Sequence, residues 1–504
     1  MSALPNVTLA RDALAGNAIS GLAWGAIGGL VGKAAAFAVQ IYLGWILTKE
    51  DFALYAVVTT CTTVTAGLIN GGTQRILIQR NARYTELFWI VLVMSFGFNA
   101  LVCVLLAAAA LPVAHFYHAP GVAPMLLIIG LATVISTPGY VFHAKLAGQL
   151  RFATIQRLAI CSHVVRNAST ALFAFLGLGA LSFVLPVLVI AVTDTLLAWR
   201  VAGEMPARRP VNRALAWDVF RDSRWMMIGT FAAALIQNGS NMGVSFVGSA
   251  RDLGIYFFGF QLTFALASLV GGTLQQVIVP TLVRIEHDPA RQRSGFDRAV
   301  SATVVGSTLM AVALIVVAPS MINLLWGGKW NDAIIVVQIL ALGIPGVMVS
   351  WIARAAVEAR GAWRTLTALS VAEGAATVGA SLVGALLGGL VLIAALVAAV
   401  KFVSALIQLG IAARRLGGES TGVVRSFLSA QGTAVAAMLM AATLVSRQPW
   451  IASTDLTEAA LILGLALPLA FAGQFLLCRT GAQGLISALR HVMPAPRRTA
   501  GKIP

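Results

Sequence analysis

The sequence predicts an all-α integral membrane protein with about fourteen transmembrane helices and no sizeable soluble domain. The chain is 59% hydrophobic and only 11% charged, and its mean hydropathy is +0.88. Soluble domains contain about a quarter charged residues, because their surfaces must face water. The apolar residues also form windows of about 20 to 28 residues, the length that crosses roughly 30 Å of hydrocarbon. Both observations place most of this chain's surface in a lipid bilayer.

Glycine and proline clusters divide the apolar windows into two groups of six and a final pair. Pro138, Pro186 and Pro345 lie inside windows, and we expect each to kink its helix, which membrane helices tolerate. The predicted spans are 17–47, 52–74, 86–111, 122–144, 154–178, 181–202, 220–248, 252–279, 299–325, 333–355, 363–387, 389–412, 427–446 and 456–478.

The distribution of lysine and arginine predicts which side of the membrane each connector faces. Arginines concentrate in the connectors after even-numbered spans, as in the predicted linker 203–219 with Arg208 and Arg209. The alternate connectors hold few cations, such as Lys49. Cytoplasmic loops carry the excess of positive residues, so both termini, including the basic tail 479–504, are expected in the cytoplasm. Because the net charge of +17 is spread over many connectors, no nucleic-acid partner is expected.

Short motifs recur at a nearly constant offset, which indicates an internal repeat. Residues 49–55, Lys-Glu-Asp-Phe-Ala-Leu-Tyr, resemble residues 250–256, Ala-Arg-Asp-Leu-Gly-Ile-Tyr. Further echoes follow in the same order: Gly-Gly-Thr at 71–73 and 271–273, and a basic join after the fourth span of each group at 144–152 and 354–363.

This repeat predicts two six-helix bundles, 17–202 and 220–412. With an even number of spans in each, the bundles are parallel repeats about an axis along the membrane normal. Transporters built in this way hold their substrate in a central cavity between the two halves. The extra helix pair 427–478 lies outside the repeat.

The sequence contains no motif for hydrolytic, nucleotide or metal chemistry, so neither an enzyme nor a cofactor is expected. Residues 28–34 have some glycines of a phosphate-binding loop, but the spacing is wrong and Ala34 replaces the required Ser or Thr. Glycines at this spacing instead favour close helix packing. The four cysteines lie in apolar segments without metal-ligand spacing, and we interpret them as packing residues.

Ionisable residues at membrane depth are the informative ones, because a charge there costs about 2.5 kcal/mol or more. Lys33 in the first span, Arg166 in the fifth and Lys401 in the twelfth are candidates for lining a substrate cavity. Asp194 in the sixth span and Glu373 in the eleventh are candidates for ion coupling or for structural pairs. For each of these residues, a structural ion pair or a side chain that reaches the interface is the alternative.

The seventh span carries a polar cluster at the position that the repeat assigns to the counterpart of Lys33. Such side chains can bind a neighbouring helix or line a hydrophilic cavity. His163, one turn from Arg166, is either an ordinary hydrogen-bonded histidine or a titrating group. The excess of buried cations over acids indicates an anionic substrate. The members of the cluster are Gln237, Asn238, Ser240 and Asn241, and the three amides are further cavity candidates.

The join between the first two spans carries the most specific resemblance to a known family. Residues 43–55 resemble a pattern of small residues, leucine and acidic-Asp-Phe-Gly-x-Tyr, with Ala53 for the usual glycine. That pattern is typical of bacterial oligosaccharide and polysaccharide flippases of the multidrug/oligosaccharidyl-lipid/polysaccharide exporter superfamily. Residues 71–80 resemble the glycine-then-Ala-Leu-Val-Gln-Arg end of that family's second helix, and the basic join 145–152 also fits. The resemblance runs from the first span to about residue 412.

This resemblance implies a flippase that moves an undecaprenyl-pyrophosphate-linked oligosaccharide from the cytoplasmic to the periplasmic leaflet by alternating access. The product would serve exopolysaccharide, O-antigen or capsule biosynthesis. The implied location is the bacterial inner membrane, with membrane lipids and the polysaccharide polymerase and export machinery as further partners. The family's cavity cations correspond here to Lys33 and to Arg166. The glycan and the driving force, whether a proton gradient, a sodium gradient or the membrane potential, are left open.

Three alternative functions are weaker. A multidrug or cation antiporter of the same superfamily would need an acidic pocket, but here the buried charge is net positive. An integral-membrane glycan polymerase or ligase would need large periplasmic loops, whereas the outer connectors are short. A lipid II flippase would be expected to have several cations in its first helices, whereas Lys33 stands alone in the first span.

Overall fold

In a computed structural model of the chain, the described residues are 29, 31–80, 83–203, 205–207, 212–247, 249–284, 288–417, 421–446 and 455–477. All regular secondary structure in these ranges is helical, which confirms the predicted all-α class. Within them, 8 helices are long and apolar enough to cross a membrane, or up to 9 if a bent pair counts as one span. The count of fourteen and the placement of both termini in the cytoplasm stay predictions.

The helices are numbered in chain order, and two short 3-10 turns, Ile69–Gly72 and Asn331–Ala333, interrupt them. The first half of the list is α1 (Val31–Ile46), α2 (Lys49–Thr65), α3 (Thr73–Gln79), α4 (Tyr84–Phe116), α5 (Val122–Gly148), α6 (Phe152–Phe175), α7 (Leu181–Ala202) and α8 (Arg213–Val247). The second half is α9 (Ala250–Arg284), α10 (Pro289–Trp326), α11 (Ile334–Ala341), α12 (Ile344–Ala359), α13 (Trp363–Leu387), α14 (Gly389–Arg415), α15 (Thr421–Ser446) and α16 (Asp455–Leu477).

Several helices continue beyond the apolar windows that predicted them. Helix α8 begins at Arg213 and α10 at Pro289, well before the predicted starts at 220 and 299. The side chain of Asp288 caps α10 by accepting a hydrogen bond from the backbone of Arg291, and Pro289 suits the first helical position. Hydropathy finds where a helix enters hydrocarbon, whereas capping residues set where the helix begins.

The second predicted span, 52–74, lies within the candidate membrane span Lys49–Ile78, but it is not one continuous helix. The chain breaks between α2 and α3, where Asn70, Gly71 and Gly72 adopt left-handed backbone conformations with φ of 57°, 55° and 67°. The side chain of Asn99 in α4 accepts a hydrogen bond from the backbone N–H of Asn70 at 2.8 Å. Its amide nitrogen donates to the Asn70 side chain at 2.8 Å and to the Thr137 hydroxyl of α5 at 2.9 Å. These bonds satisfy polar groups that would otherwise be unpaired in an apolar interior.

The predicted span 333–355 is likewise divided. Helices α11 and α12 are bent by 43° where they meet, and Pro345 stands in the first turn of α12. Proline has no backbone N–H to donate to the preceding turn, so a helix bends or restarts at this point. The kink predicted at Pro345 is therefore confirmed as a bend immediately before it.

The helices pack into two compact units. One comprises residues 1–273 and 367–400, and the other comprises residues 274–366 and 401–504. The core of the first includes Leu87, Phe88 and Phe142, and the core of the second includes Phe296, Val349 and Phe427. These units are groups of packed helices rather than repeats, so the halves 17–202 and 220–412 stay a prediction.

Both copies of the repeated motif form the same local structure. At the start of α2, the Thr48 hydroxyl and the Asp51 carboxylate exchange hydrogen bonds with each other's backbone N–H groups. Ser249 and Asp252 form the same reciprocal cap at the start of α9. This capping box explains why the motif keeps an aspartate three residues after a hydroxyl residue. The two helix starts also meet closely, because a Cβ atom at Gly254 would collide with the backbone carbonyl of Lys49.

Candidate functional site

Lys33, the leading cavity candidate, lies half-buried in α1 between two other helices. Its Nζ donates a hydrogen bond to the backbone carbonyl of Ser268 in α9 at 2.6 Å. The adjacent Gly32 faces α6, where a Cβ atom at this position would lie 3.1 Å from the imidazole ring of His163. A larger residue at position 32 would require the His163 side chain to move. The glycine therefore allows α6 to lie directly beside Lys33.

Arg166, the second candidate, lies on α6 one turn after His163, and its side chain is exposed. Both Lys33 and Arg166 act electrostatically on the His163 ring. The structure therefore brings together two of the predicted cations with a histidine that the sequence left ambiguous. We refer to Lys33, His163 and Arg166 as the cationic patch. Its three side chains can donate hydrogen bonds to an anion.

The members of the polar cluster of α8 differ in burial, and the glycine among them packs against α13. Gly239 packs against Val378 of α13, and the Ser381 hydroxyl of α13 donates to the Gly239 carbonyl at 3.2 Å. Gln237 is exposed and Asn238 is half-buried. Asn241 is fully buried, and among the described residues neither polar atom of its side chain has a hydrogen-bond partner. Helix packing thus accounts for the glycine face, whereas the amides remain cavity candidates.

Lys401 and Glu373 are both buried, but they belong to different packing units. The backbone of Lys401 in α14 lies against Gly346 of α12, where a Cβ atom would be 2.7 Å from the Lys401 carbonyl oxygen. Glu373 in α13 precedes Gly374, whose missing Cβ lets the backbone approach Leu235 of α8. Both residues are at close helix crossings, and both have interaction partners. For both residues, the predicted role and the structural alternative stay predictions.

Asp194 is the candidate whose partners are best defined. Its Oδ2 atom lies 2.9 Å from Nε2 of His143 in α5, and its Oδ1 accepts a hydrogen bond from the Ser162 hydroxyl of α6 at 2.8 Å. His143 and Ser162 are not among the site residues predicted from the sequence. Neither has a motif around it, and only the packing of α5, α6 and α7 brings the three side chains together. Asp194 is thus paired with a histidine rather than with any of the predicted lysines or arginines.

Comparison with known proteins identifies relatives of this chain. Residues 43–335 match the sequence profile of a family described as polysaccharide biosynthesis protein. The lipopolysaccharide biosynthesis protein WzxC of Escherichia coli (strain K12) is 23% identical over 330 residues, which cover 64% of this chain and 66% of WzxC. The teichuronic acid biosynthesis protein TuaB of Bacillus subtilis (strain 168) is 22% identical over 276 residues, which cover 53% of this chain and 55% of TuaB. The chain therefore matches less than two thirds of the length of each relative.

The fold is similar to that of a solved membrane protein. The lipid II flippase MurJ in an inward closed conformation superimposes with a TM-score of 0.68 over 90% of this chain and 98% of MurJ. The two sequences are only 10% identical, so the similarity concerns the fold alone. It confirms that the helices of this chain are arranged as in a multi-pass membrane protein.

Proposed function

The chain belongs to the polysaccharide biosynthesis protein family, and we propose that it is a flippase for a lipid-linked oligosaccharide. It moves an undecaprenyl-pyrophosphate-linked glycan from the cytoplasmic to the periplasmic leaflet of the bacterial inner membrane. The glycan then enters exopolysaccharide, O-antigen or capsule synthesis through the polymerase and export machinery. The names of the two relatives, which refer to lipopolysaccharide and teichuronic acid biosynthesis, support a glycan substrate.

The cationic patch is the single observation that carries this proposal. A diphosphate is the part of such a substrate that most resists transfer through hydrocarbon, because a charge at membrane depth costs about 2.5 kcal/mol or more. Lys33 and Arg166 offset that cost with charge-assisted hydrogen bonds to the phosphate oxygens. In the observed state Lys33 is bonded to the Ser268 carbonyl. When a phosphate binds, Lys33 therefore donates its hydrogen bond to a charged phosphate oxygen instead of the neutral carbonyl oxygen.

Transport follows from alternating exposure of this patch. The halves 17–202 and 220–412 rock about a central cavity that also contains Gln237, Asn238 and Asn241 of α8. The apolar polyprenyl chain stays in the bilayer, so only the glycan and the diphosphate need a polar path. No covalent bond of the substrate changes. The protein is therefore a transporter and not an enzyme.

The antiporter, polymerase and lipid II alternatives predict different phenotypes. A polymerase or ligase mutant would accumulate single repeat units on the periplasmic side, because translocation precedes polymerisation. A cation antiporter mutant would become sensitive to cationic drugs without losing its surface glycan. Loss of a lipid II flippase would arrest cell-wall growth. We expect loss of the surface glycan alone.

Replacing Lys33 tests the proposal directly. Lys33→Ala should lower surface-glycan export about ten- to a hundredfold while the protein still accumulates in the membrane, because a hydrogen bond to a charged group contributes about 1.5 to 3 kcal/mol. Lys33→Arg, which keeps the charge, should restore part of the export. Val31→Ala is the matched control, because Val31 lies in the same helix with 59% of its surface exposed. Normal export by Lys33→Ala would contradict the role of the patch.

The membrane topology can be tested separately. Reporter fusions should place residues 203–212 in the cytoplasm and residues 327–330 in the periplasm, as the arginine distribution predicts. Both segments on one side of the membrane would contradict the fourteen-helix topology.

A further inference from the structure

A contact between the two predicted halves lies where α3 ends. The guanidinium Nη2 of Arg80 donates a hydrogen bond to the Oδ2 atom of Asp222, near the start of α8. Arg80 belongs to the predicted half 17–202 and Asp222 to the half 220–412. The arginine distribution places the end of α3 and the start of α8 on the cytoplasmic side. The ion pair therefore joins the two halves at their expected cytoplasmic ends.

Close packing brings α8 directly against the break between α2 and α3. A Cβ atom at Gly72 would lie 2.6 Å from the Cβ atom of Met226, and one at Gly67 would lie 2.9 Å from the backbone carbonyl oxygen of Met227. Asp222 lies about one helical turn before Met226. The two glycines therefore allow α8 to lie against the break, one turn away from the ion pair.

Helix α3 is attached to a neighbouring helix at each of its ends. It has only seven residues, Thr73–Gln79, and it follows the left-handed residues of the break. At its first residue, the Thr73 hydroxyl forms a hydrogen bond with the Ser95 hydroxyl of α4 at 2.6 Å. At its other end, Arg80 is the residue at which the helix stops, and its side chain binds α8. One end of α3 is thus held by α4 of the same half, and the other end by α8 of the opposite half.

The exposure of the ion pair makes it a contact that can open. The side chains of Arg80 and Asp222 are 37% and 40% exposed, so water solvates both charges when they separate. Ion pairs at this exposure are weak, and the loss of one changes an equilibrium by about fivefold or less. A contact of that strength biases two conformations without preventing their exchange.

The opposite ends of these helices are held by a different kind of contact. On the expected periplasmic side, α2 meets α9 through aromatic rings. The Phe52 and Phe258 rings lie 5.6 Å apart, and the Tyr55 and Phe257 rings lie 5.5 Å apart, both edge to face. Separating such rings would expose apolar surface to water, which is unfavourable, whereas separated charges are solvated. The ion-paired end is therefore the one that opens more easily.

We propose that the Arg80–Asp222 ion pair is a latch that holds the cytoplasmic ends of α3 and α8 together and opens once in each transport cycle. This proposal rests on the flippase function proposed above. The latch is closed in the structure described here. It opens when the two halves separate on the cytoplasmic side to admit the diphosphate and the glycan, and it closes again after they have entered. The break at Gly71 and Gly72 is where α3 turns away from α8, because glycine adopts many backbone conformations.

Exchanging the two charges tests the latch in cells that lack the native gene. Arg80→Asp and Asp222→Arg each place like charges opposite one another, so each should lower glycan export about fivefold. The double variant, in which the charges are exchanged, should restore most of the export. The matched control is the same exchange at Arg83 and Glu86, an exposed ion pair three residues apart on one side of the contact, and it should leave export unchanged. A double variant that exports no better than the single variants would overturn the proposal.

Reversible crosslinking tests whether the latch must open. In an exporting chain without its native cysteines, Arg80→Cys and Asp222→Cys are joined by a membrane-permeant bifunctional thiol reagent that reductant cleaves. Crosslinking should stop export, and reductant should restore it, whereas the control pair Arg83→Cys and Glu86→Cys should export throughout. Normal export by the crosslinked latch would overturn the proposal and leave the flippase function intact. If the wild-type chain does not restore export at all, the flippase function itself fails.

Discussion

The same Gly-Gly-Thr triplet lies at a helix break in one place and within a continuous helix in another. At 71–73 it forms a left-handed break between α2 and α3, whereas at 271–273 it lies inside the continuous helix α9. The residue before the triplet differs, being Asn70 in one copy and Val270 in the other. Asparagine tolerates a left-handed backbone, and β-branched valine does not. Glycine therefore permits the break without causing it.

The surroundings of Asn70 complete the explanation. Asn99 and Thr137 provide hydrogen-bonding groups that replace those lost from the helix. The same short motif can therefore occur at a helix break and inside a continuous helix. That difference lies in a few side chains of neighbouring helices, and single substitutions can test it.

The largest effect is expected from Asn99→Leu. This change keeps the side-chain volume nearly constant but removes hydrogen bonds to the backbone and side chain of Asn70 and to Thr137. Leaving these groups unpaired should lower the free energy of unfolding by about 3 kcal/mol, because each buried unsatisfied group costs roughly 1 to 3 kcal/mol. Thermal unfolding of the purified protein in detergent measures the loss. Unchanged stability would show that the amide does not hold the break.

A matched pair of glycine substitutions should give a smaller effect and a clear contrast. Gly72→Ala places a side chain at φ 67°, with its Cβ atom 2.6 Å from Met226 Cβ, and should cost about 2 kcal/mol. Gly272→Ala lies within α9, where alanine is the better helix former, and should change the stability by less than about 1 kcal/mol. Equal losses of unfolding free energy in the two variants would contradict the different backbone conformations of the two Gly-Gly-Thr triplets.

The smallest difference is expected at the two capping aspartates. Asp51 caps α2 and also accepts a hydrogen bond from the backbone N–H of Ala180, at 2.8 Å, in the turn before α7. For Asp252 the capping bonds to Ser249 account for the expected loss. Asp252→Ala should therefore cost about 1 kcal/mol, and Asp51→Ala about 1 kcal/mol more. Thermal unfolding measures both losses. A larger loss for Asp252→Ala than for Asp51→Ala would contradict a stabilising hydrogen bond between Asp51 and Ala180.

The sequence predicted those helices whose limits coincide with changes in hydropathy. Helices α7 and α13 have the predicted bounds, 181–202 and 363–387, because a glycine follows the last helical residue directly in each case, at Gly203 and Gly388. Where polar residues continue a helix beyond the bilayer, as at the start of α10, hydropathy placed the boundary too late. The break at Asn70 could not be predicted, since Asn99 and Thr137 come from two other helices.

The candidate site could also be predicted only in part, because it too depends on contacts between helices. Lys33 and Arg166 were found because isolated charges in apolar spans are rare and expensive. Their association with His163 depends on the close approach of α1 and α6 at Gly32, which no local pattern reveals. The partners of Asp194 were missed for the same reason, because Gly139 and Thr195 determine that α5 and α7 touch at that level. Sequence patterns thus reveal which residues are unusual, whereas packing determines which of them act together.

The leaflet in which the lipid-linked glycan accumulates is the most direct test of the central claim. In cells that lack this chain, the undecaprenyl-linked oligosaccharide should accumulate in the cytoplasmic leaflet, where a membrane-impermeant glycosidase added to intact spheroplasts cannot reach it. The wild-type chain should restore its access to the enzyme, whereas the Lys33→Ala variant should not. Accumulation in the enzyme-accessible periplasmic leaflet would show that translocation proceeds without this protein, and it would contradict the flippase function.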